Sequence, residues 1–244
     1  MNQPGSAGRA SEGMQRRLVL HSLCSISYGI PPITERKSPM ISIDPASVST
    51  RDNYKLLIGS IAPRPIAMVT TMNRDGVLNA APFSFFNIVT ANPPMVSIAV
   101  QRKPDGTRKD TAANAVAGGE FVVHVADEGY GEQMNRTAAS IPSEESEVEL
   151  AGLTPVASSK IRVPGIAEAK VRMECVLERV VELGGDEAGA PSCDLLIGRV
   201  VCFHVDETIY EAGRIDAAAL RPLSRLAGDD YARLGERFTM ERPL

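Results

Sequence analysis

The chain has 244 residues, 43% of them hydrophobic and 23% charged, enough for one full-sized domain with a substantial core. A formal net charge of −4 argues against a surface built for nucleic acid or an anionic membrane. No apolar run reaches the roughly 20 residues of a membrane-spanning helix. Four cysteines form no CxxC pair and three histidines no HExxH spacing, so neither a disulfide framework nor a metal motif is in view. A reducing cytoplasm fits this cysteine usage.

Residues 1–39 are rich in Gly, Ser and Pro and read as a disordered extension before a domain spanning 40–244. Arg16-Arg17 ahead of the broken apolar stretch 18–30 has a weak signal-peptide shape, and Met14 and Met40 offer alternative starts. Ser49-Thr50-Arg51-Asp52 has capping-box spacing and predicts a short helix over Asn53–Ile58, stopped by Gly59. Pro63 and Pro65 hold the next segment extended. Ile66–Thr71 is a strand on β-branched content, Asn73-Arg74-Asp75-Gly76 a hairpin turn, and Val77–Ala81 the returning strand. A break at Asn92-Pro93-Pro94 precedes a strand over Met95–Gln101. Asp110–Ala117 is a short helix ended by Gly118-Gly119, Phe121–Ala126 a strand, and Tyr130–Ala139 helical.

Residues 140–165, with their prolines and acidic run, read as a surface excursion whose charges are solvated. Ile166–Leu177 alternates: Ala167, Ala169, Val171, Met173, Cys175 and Leu177 on an apolar face, Glu168, Lys170, Arg172, Glu174 and Val176 on one that is nearly all charged. That is the period of a half-buried antiparallel strand, ended by Gly184-Gly185-Asp186. Asp194–Val205 is apolar on both faces and therefore central or interfacial. Cys175 and Cys202 read as small core hydrophobes, and His124 and His204, in apolar strands, as hydrogen-bonded structural histidines. Six or so strands with short helices and hairpin connections predict a mainly β protein, a closed or split antiparallel barrel rather than a doubly wound parallel sheet.

The sequence lacks GxGxxG, GxxxxGK[ST] and GxSxG motifs, so Rossmann, P-loop and nucleophile-elbow chemistry lose their usual support. Two segments stand out. In Asn79-Ala80-Ala81-Pro82-Phe83-Ser84-Phe85-Phe86-Asn87, small side chains let a flat ligand lie against the backbone while N–H groups and hydroxyls bond its polar edge. In Arg102–Thr111, four of ten residues are basic and the segment runs into a helix start. Unpaired N–H groups there, with Lys109 and Thr111, suit a phosphate. The alternative is a solvated basic loop with Asp110 as an N-cap. The Asp110 carboxylate would repel a phosphate unless it faces the backbone.

These segments occur in one order: Val69-Thr70-Thr71, Gly76, Asn79 to Ser84, Pro93-Pro94, Lys109-Asp110-Thr111, Asn114, then Gly119-Glu120-Phe121-Val122-Val123. In that order they resemble the flavin reductase-like family, whose fold is the FMN-binding split barrel. The resemblance covers about residues 50 to 240 and is closest to the flavoredoxin-like branch, given Arg221-Pro222-Leu223-Ser224-Arg225-Leu226 followed by Tyr231. It implies FMN held noncovalently at a homodimer interface. The isoalloxazine and ribityl chain would lie against Thr70, Thr71 and Ala81, Pro82, Phe83 and Ser84, and the phosphate against Lys109 and Thr111, with Asp110 between them also counted among the cofactor-binding residues. Asn87 would bond the ring or cap a turn; Arg64 would approach the flavin or pair with an acid of the partner. Phe83, Phe85 and Phe86 read as core or interface. The implied activity is NAD(P)H:flavin reduction, hydride passing from the nicotinamide to flavin N5, with an oxygenase or other electron acceptor downstream. An FMN electron-transfer protein without nicotinamide activity is the alternative.

Overall fold

A computed structural model describes residues 40–185 and 189–243, and the body that carries the site begins at Asp44. The expected extension over 1–39, and Asp186 of the predicted strand stop, lie outside the described residues. Helix α1 (Thr50–Ser60) starts as the capping spacing predicts: the Ser49 hydroxyl accepts the Asp52 N–H at 3.1 Å. Gly59 does not stop it. The glycine sits inside the last turn, and the Ile61 N–H closes onto Leu57 C=O.

Seven strands make the main sheet: β1 (Ala67–Met72), β2 (Leu78–Phe83), β3 (Phe86–Ala91), β4 (Pro94–Gln101), β5 (Glu120–Val125), β6 (Val171–Leu183) and β7 (Cys193–Val205). Their order is β2-β1-β5-β6-β7-β4-β3, antiparallel throughout. The two edge strands, β2 and β3, are separated in the chain only by Ser84 and Phe85, so the sheet has to curl until its edges approach. The Ala99 N–H on β4 bonds Phe85 C=O at 2.9 Å at that corner. The result is the expected split barrel, with helices α2 (Asp110–Gly118), α3 (Gly131–Arg136) and α4 (Glu147–Ala151) packed around it. Gly119 ends α2 in the left-handed region, φ 73°, where glycine carries no Cβ penalty.

The barrel interior is apolar: Val69, Ile98, Val100, Phe121, Val123, Cys175 and Leu196 are buried together. Gly198 on β7 makes room for this filling, since a Cβ there would stand 2.3 Å from Phe121 Cζ. A second apolar cluster covers the outer face of β1, β2 and β5. There Met68, Ala80 and Val122 meet Tyr130 and Met134 around α3, Val148 of α4, and Leu153, Ile161 and Ile166.

This second cluster corrects several expectations. Residues 140–165 are not a solvated excursion; they form the lid of a second core layer, and Glu147 and Val148 within the acidic run are buried. The alternating strand starts at Val171 and runs to Leu183, because Ala169 turns into the second layer. Part of its charged face is covered too, and Glu174 there is fully buried. Phe86–Ala91 is a strand that the hydroxyl-rich reading of this segment missed. It pairs with β4 across the Asn92-Pro93 turn. The predicted helix over Tyr130–Ala139 shortens to Gly131–Arg136. The strand apolar on both faces is central, lying between β6 and β4. Cys175 is the expected core residue, with burial pushing its thiol up to about 12; Cys202 is only half-buried.

His124 is structural, as its apolar strand suggests. Its Nδ1 faces Met68 C=O at 2.9 Å and its Nε2 accepts the Ile166 N–H at 3.0 Å. Burial pushes its pKa down to about 3, and Arg172 lowers it further while the Met68 bond opposes the shift.

Candidate functional site

Strand β2 and the start of α2 line one cavity of about 790 Å³. It holds Ala81, Pro82, Phe83, Lys109, Asp110 and Thr111 of the sequence-derived candidates, together with Asn79 and Glu147. Its volume falls within the roughly 300–1,000 Å³ common for small-molecule sites. A second cavity, about 420 Å³, shares Pro82, Phe83 and Ala138 with it and brings in Ser84, Tyr54 and Tyr231. A third, about 600 Å³, lies between the 73–76 turn and the later residues of α2 and contains none of the candidates.

The basic loop divides its charges between structure and solvent. Arg102 grips Asp194 with two hydrogen bonds, Nε–Oδ2 at 3.0 Å and Nη2–Oδ1 at 2.8 Å. Arg108 bonds the same carboxylate at 3.1 Å and Glu182 at 2.6 Å. Burial pushes the Asp194 carboxyl up, but the two guanidiniums outweigh it and hold it below its ordinary value. Two of the four basic residues therefore fasten the loop to β6 and β7. Lys103 stands 3.6 Å from Asp110. Lys109 is exposed and has no ion-pair partner among the described residues. It occupies the N-cap of α2, and no side chain caps the helix; Asp110 is the first helical residue rather than the cap. The start of α2, whose Lys109, Asp110 and Thr111 line the cavity, therefore has no side-chain cap on its first N–H groups.

The remaining candidates lie elsewhere. Thr70 is buried with its hydroxyl donating to Pro164 C=O at 2.7 Å, on the covered face. Thr71 sits one residue behind the cavity wall, donating to Asn79 Oδ1 at 3.2 Å. Arg64 is a clamp: its guanidinium donates to Ile58 C=O at 2.7 Å, Ile61 C=O at 2.6 Å and Leu226 C=O at 2.8 Å, tying α1 to the C-terminal segment. Asn87 is exposed, its Oδ1 accepting the Ile88 N–H at 2.8 Å.

Sequence reasoning missed Glu147 and the wall formed by residues 137–141. Glu147 Oε2 accepts the Asn79 Nδ2 at 3.0 Å and the Ala80 N–H at 3.1 Å, and burial raises its pKa despite these bonds. Nothing in a run of glutamates and serines marks one of them as buried. Only the apolar spacing of Val148, Ala151 and Leu153 behind it could have done so.

One further cluster lies on the other side of the sheet. Glu174, Cys202 and His204 place donor atoms within 4.8 Å of one another. Both Glu174 oxygens are already engaged, by the Ser159 N–H at 2.6 Å, the Lys160 N–H at 2.7 Å and His204 Nε2 at 2.5 Å. Burial pushes this carboxyl up; the Ser159 N–H, His204 and the Lys160 N–H outweigh it and bring it below its ordinary value. The arrangement fastens the 158–163 loop and explains itself without an ion.

Comparison with known proteins agrees with the fold. The flavin reductase like domain family matches residues 59–222, and the chain belongs to that family. Nitrilotriacetate monooxygenase component B from Bacillus cereus is 60% identical with a TM-score of 0.81, over 83% of this chain and 100% of that one. The 2-nitrobenzoate 2-nitroreductase NbaA of Pseudomonas fluorescens is 30% identical, TM-score 0.74, over 83% and 96%. A split barrel domain protein of Shewanella frigidimarina NCIMB 400 shares the fold at 22% identity, TM-score 0.70, over 81% and 96%. The chain is thus a flavin reductase-like split-barrel oxidoreductase.

Proposed function

We propose that this protein is an NAD(P)H-dependent flavin reductase that holds FMN noncovalently in the cavity between β2 and α2. The observation that carries this reading is an uncapped helix start beside Lys109, which has no ion-pair partner among the described residues, on a cavity also lined by Ala81, Pro82 and Phe83. That is a place for an anion beside a place for a flat ring. Bound FMN would supply the redox centre, taking hydride from a nicotinamide at N5 and passing reducing equivalents on. The chain's residues bind and orient. Lys109 and the first N–H groups of α2 would hold the phosphate, and the 102–108 loop is kept in place by Asp194. The neighbouring cavity, floored by the shared Pro82 and Phe83, leaves room for a second planar molecule against the same wall.

The likeness to a monooxygenase component B supports delivery of reduced flavin to a separate oxygenase. A homodimer is part of the proposal: Ile88 and Val89 on β3, Leu57 on α1, Ile61 at its C-cap, and Phe203 are large apolar side chains left exposed on one chain. Cys175, Cys193 and Cys202 are free thiols, in keeping with the cytoplasm.

The test uses the purified full-length protein. The expected results are near-ultraviolet and blue flavin absorption, bleaching on anaerobic NADH or NADPH, and twice the 26.1 kDa chain mass by light scattering. Bound flavin that neither nicotinamide reduces would instead make this an electron-transfer flavoprotein. A protein that takes up no added flavin would overturn the reading.

A further inference from the structure

We propose that Glu147 is a positioning residue that fixes the hydrogen-bond polarity of the cavity wall, so that the Thr111 hydroxyl accepts a bond from a ribityl hydroxyl of the flavin rather than donating to its phosphate. The inference rests on the flavin reading above. A backbone N–H can only donate, so the Glu147 Oε2 that takes the Ala80 N–H is an acceptor. Glu147 therefore draws the NH2 of Asn79 towards itself, at 3.0 Å, and the Ala80 N–H holds the same oxygen in place at 3.1 Å.

With its NH2 committed, the Asn79 amide must point its Oδ1 the other way. That oxygen receives the Thr111 hydroxyl at 2.9 Å and the Thr71 hydroxyl at 3.2 Å. Each hydroxyl has one proton, and in both cases it goes to Asn79. The Thr71 oxygen then accepts the Asn114 Nδ2 at 3.3 Å, which completes its bonding inside the protein. Thr111, with only 1% of its surface exposed, lines the cavity, as do Asn79 and Glu147. What it has left to offer a ligand is a lone pair.

A phosphate oxygen placed there would face a lone pair, whereas a ligand O–H would be matched. Thr111 lies two residues from Lys109, so a ligand group beside it is the one joined to the anion, which in FMN is the ribityl chain. The sequence-level expectation that Thr111 holds the phosphate is thereby narrowed to its backbone N–H, and the hydroxyl takes another partner.

The experiment is fluorescence titration of the full-length protein with FMN, riboflavin and lumiflavin, which lacks the ribityl chain. Thr111→Val removes the acceptor. It should weaken FMN and riboflavin by the same factor, roughly two- to tenfold, and leave lumiflavin unchanged. Glu147→Leu should show the same pattern and add nothing in the Thr111→Val background, because both act through one chain of bonds. Glu147→Gln, whose carbonyl can accept the same two N–H bonds, should restore wild-type affinity. A Thr111→Val loss confined to FMN would mean that the hydroxyl serves the phosphate, and would overturn the proposal. So would unchanged affinities in Thr111→Val, or an additive loss in the double variant. Wild-type protein that binds none of the three flavins would defeat the flavin reading itself, a result distinct from any of these.

Discussion

Glu147 and Glu174 are both buried glutamates that each accept two N–H bonds, yet they belong to different kinds of site. Glu174 lies under the 158–163 loop, where its partners are the Ser159 and Lys160 backbone and His204, and the bonding ends within the protein. Glu147 bonds Asn79, which bonds Thr111, and that chain ends at a cavity wall. Burial and perturbed ionisation are shared by the two regions. What separates them is whether the chain of bonds ends at a residue that lines a cavity. On the function proposed above, Lys109 and the start of α2 would meet a ligand, while His124, Glu174 and Thr70 spend their polar atoms on the protein.

The comparison is broken most strongly by acid. The folded-state pKa of His124, about 3, lies below the ordinary 6.5. Between these values the unfolded chain binds a proton that the native fold, with Ile166 N–H donating to Nε2, has no place for. Stability should therefore fall as pH falls, by about 5 kcal/mol over the whole window. About 2 kcal/mol of this should fall between pH 6.5 and 5, above the usual carboxylate range. Urea midpoints across that interval check it, and His124→Gln should flatten the slope. A wild-type slope retained in the variant would place the titration elsewhere.

A smaller effect is expected at Glu174. Glu174→Ala strips acceptors from two backbone N–H groups and from His204, and should cost roughly 2–4 kcal/mol of stability. FMN affinity of the folded protein should hardly change. A flavin defect as large as the stability loss would join the two regions that the bonding pattern keeps apart; Glu174→Gln offers the same test in a milder form.

How much of this was legible in the sequence follows the range of the signal. The Ser49 cap, the 73–76 hairpin and the start of α2 are set by neighbouring residues and were readable. So was the barrel class, from strand spacing; Ala81 to Phe83 and Lys109 to Thr111, picked out by their order along the chain, line one cavity. The second core layer was not, because its residues are spread over 130–169 and pack on strands far away in sequence. That layer is why an acidic run reads as solvated while burying Glu147, and why a charged strand face conceals Glu174. The division of labour among Arg102, Arg108 and Lys109 was equally hidden: it depends on Asp194, some 86 residues beyond Arg108.

The most direct measurement of the central claim, that the start of α2 is an anion site for a flavin, is the affinity of wild type and Lys109→Ala for FMN and riboflavin under one set of conditions. A charge-assisted hydrogen bond contributes about 1.5–3 kcal/mol. Lys109→Ala should therefore weaken FMN roughly tenfold to a hundredfold and leave riboflavin, which has no phosphate, where it was. Equal losses for both flavins, or none for either, would contradict the assignment.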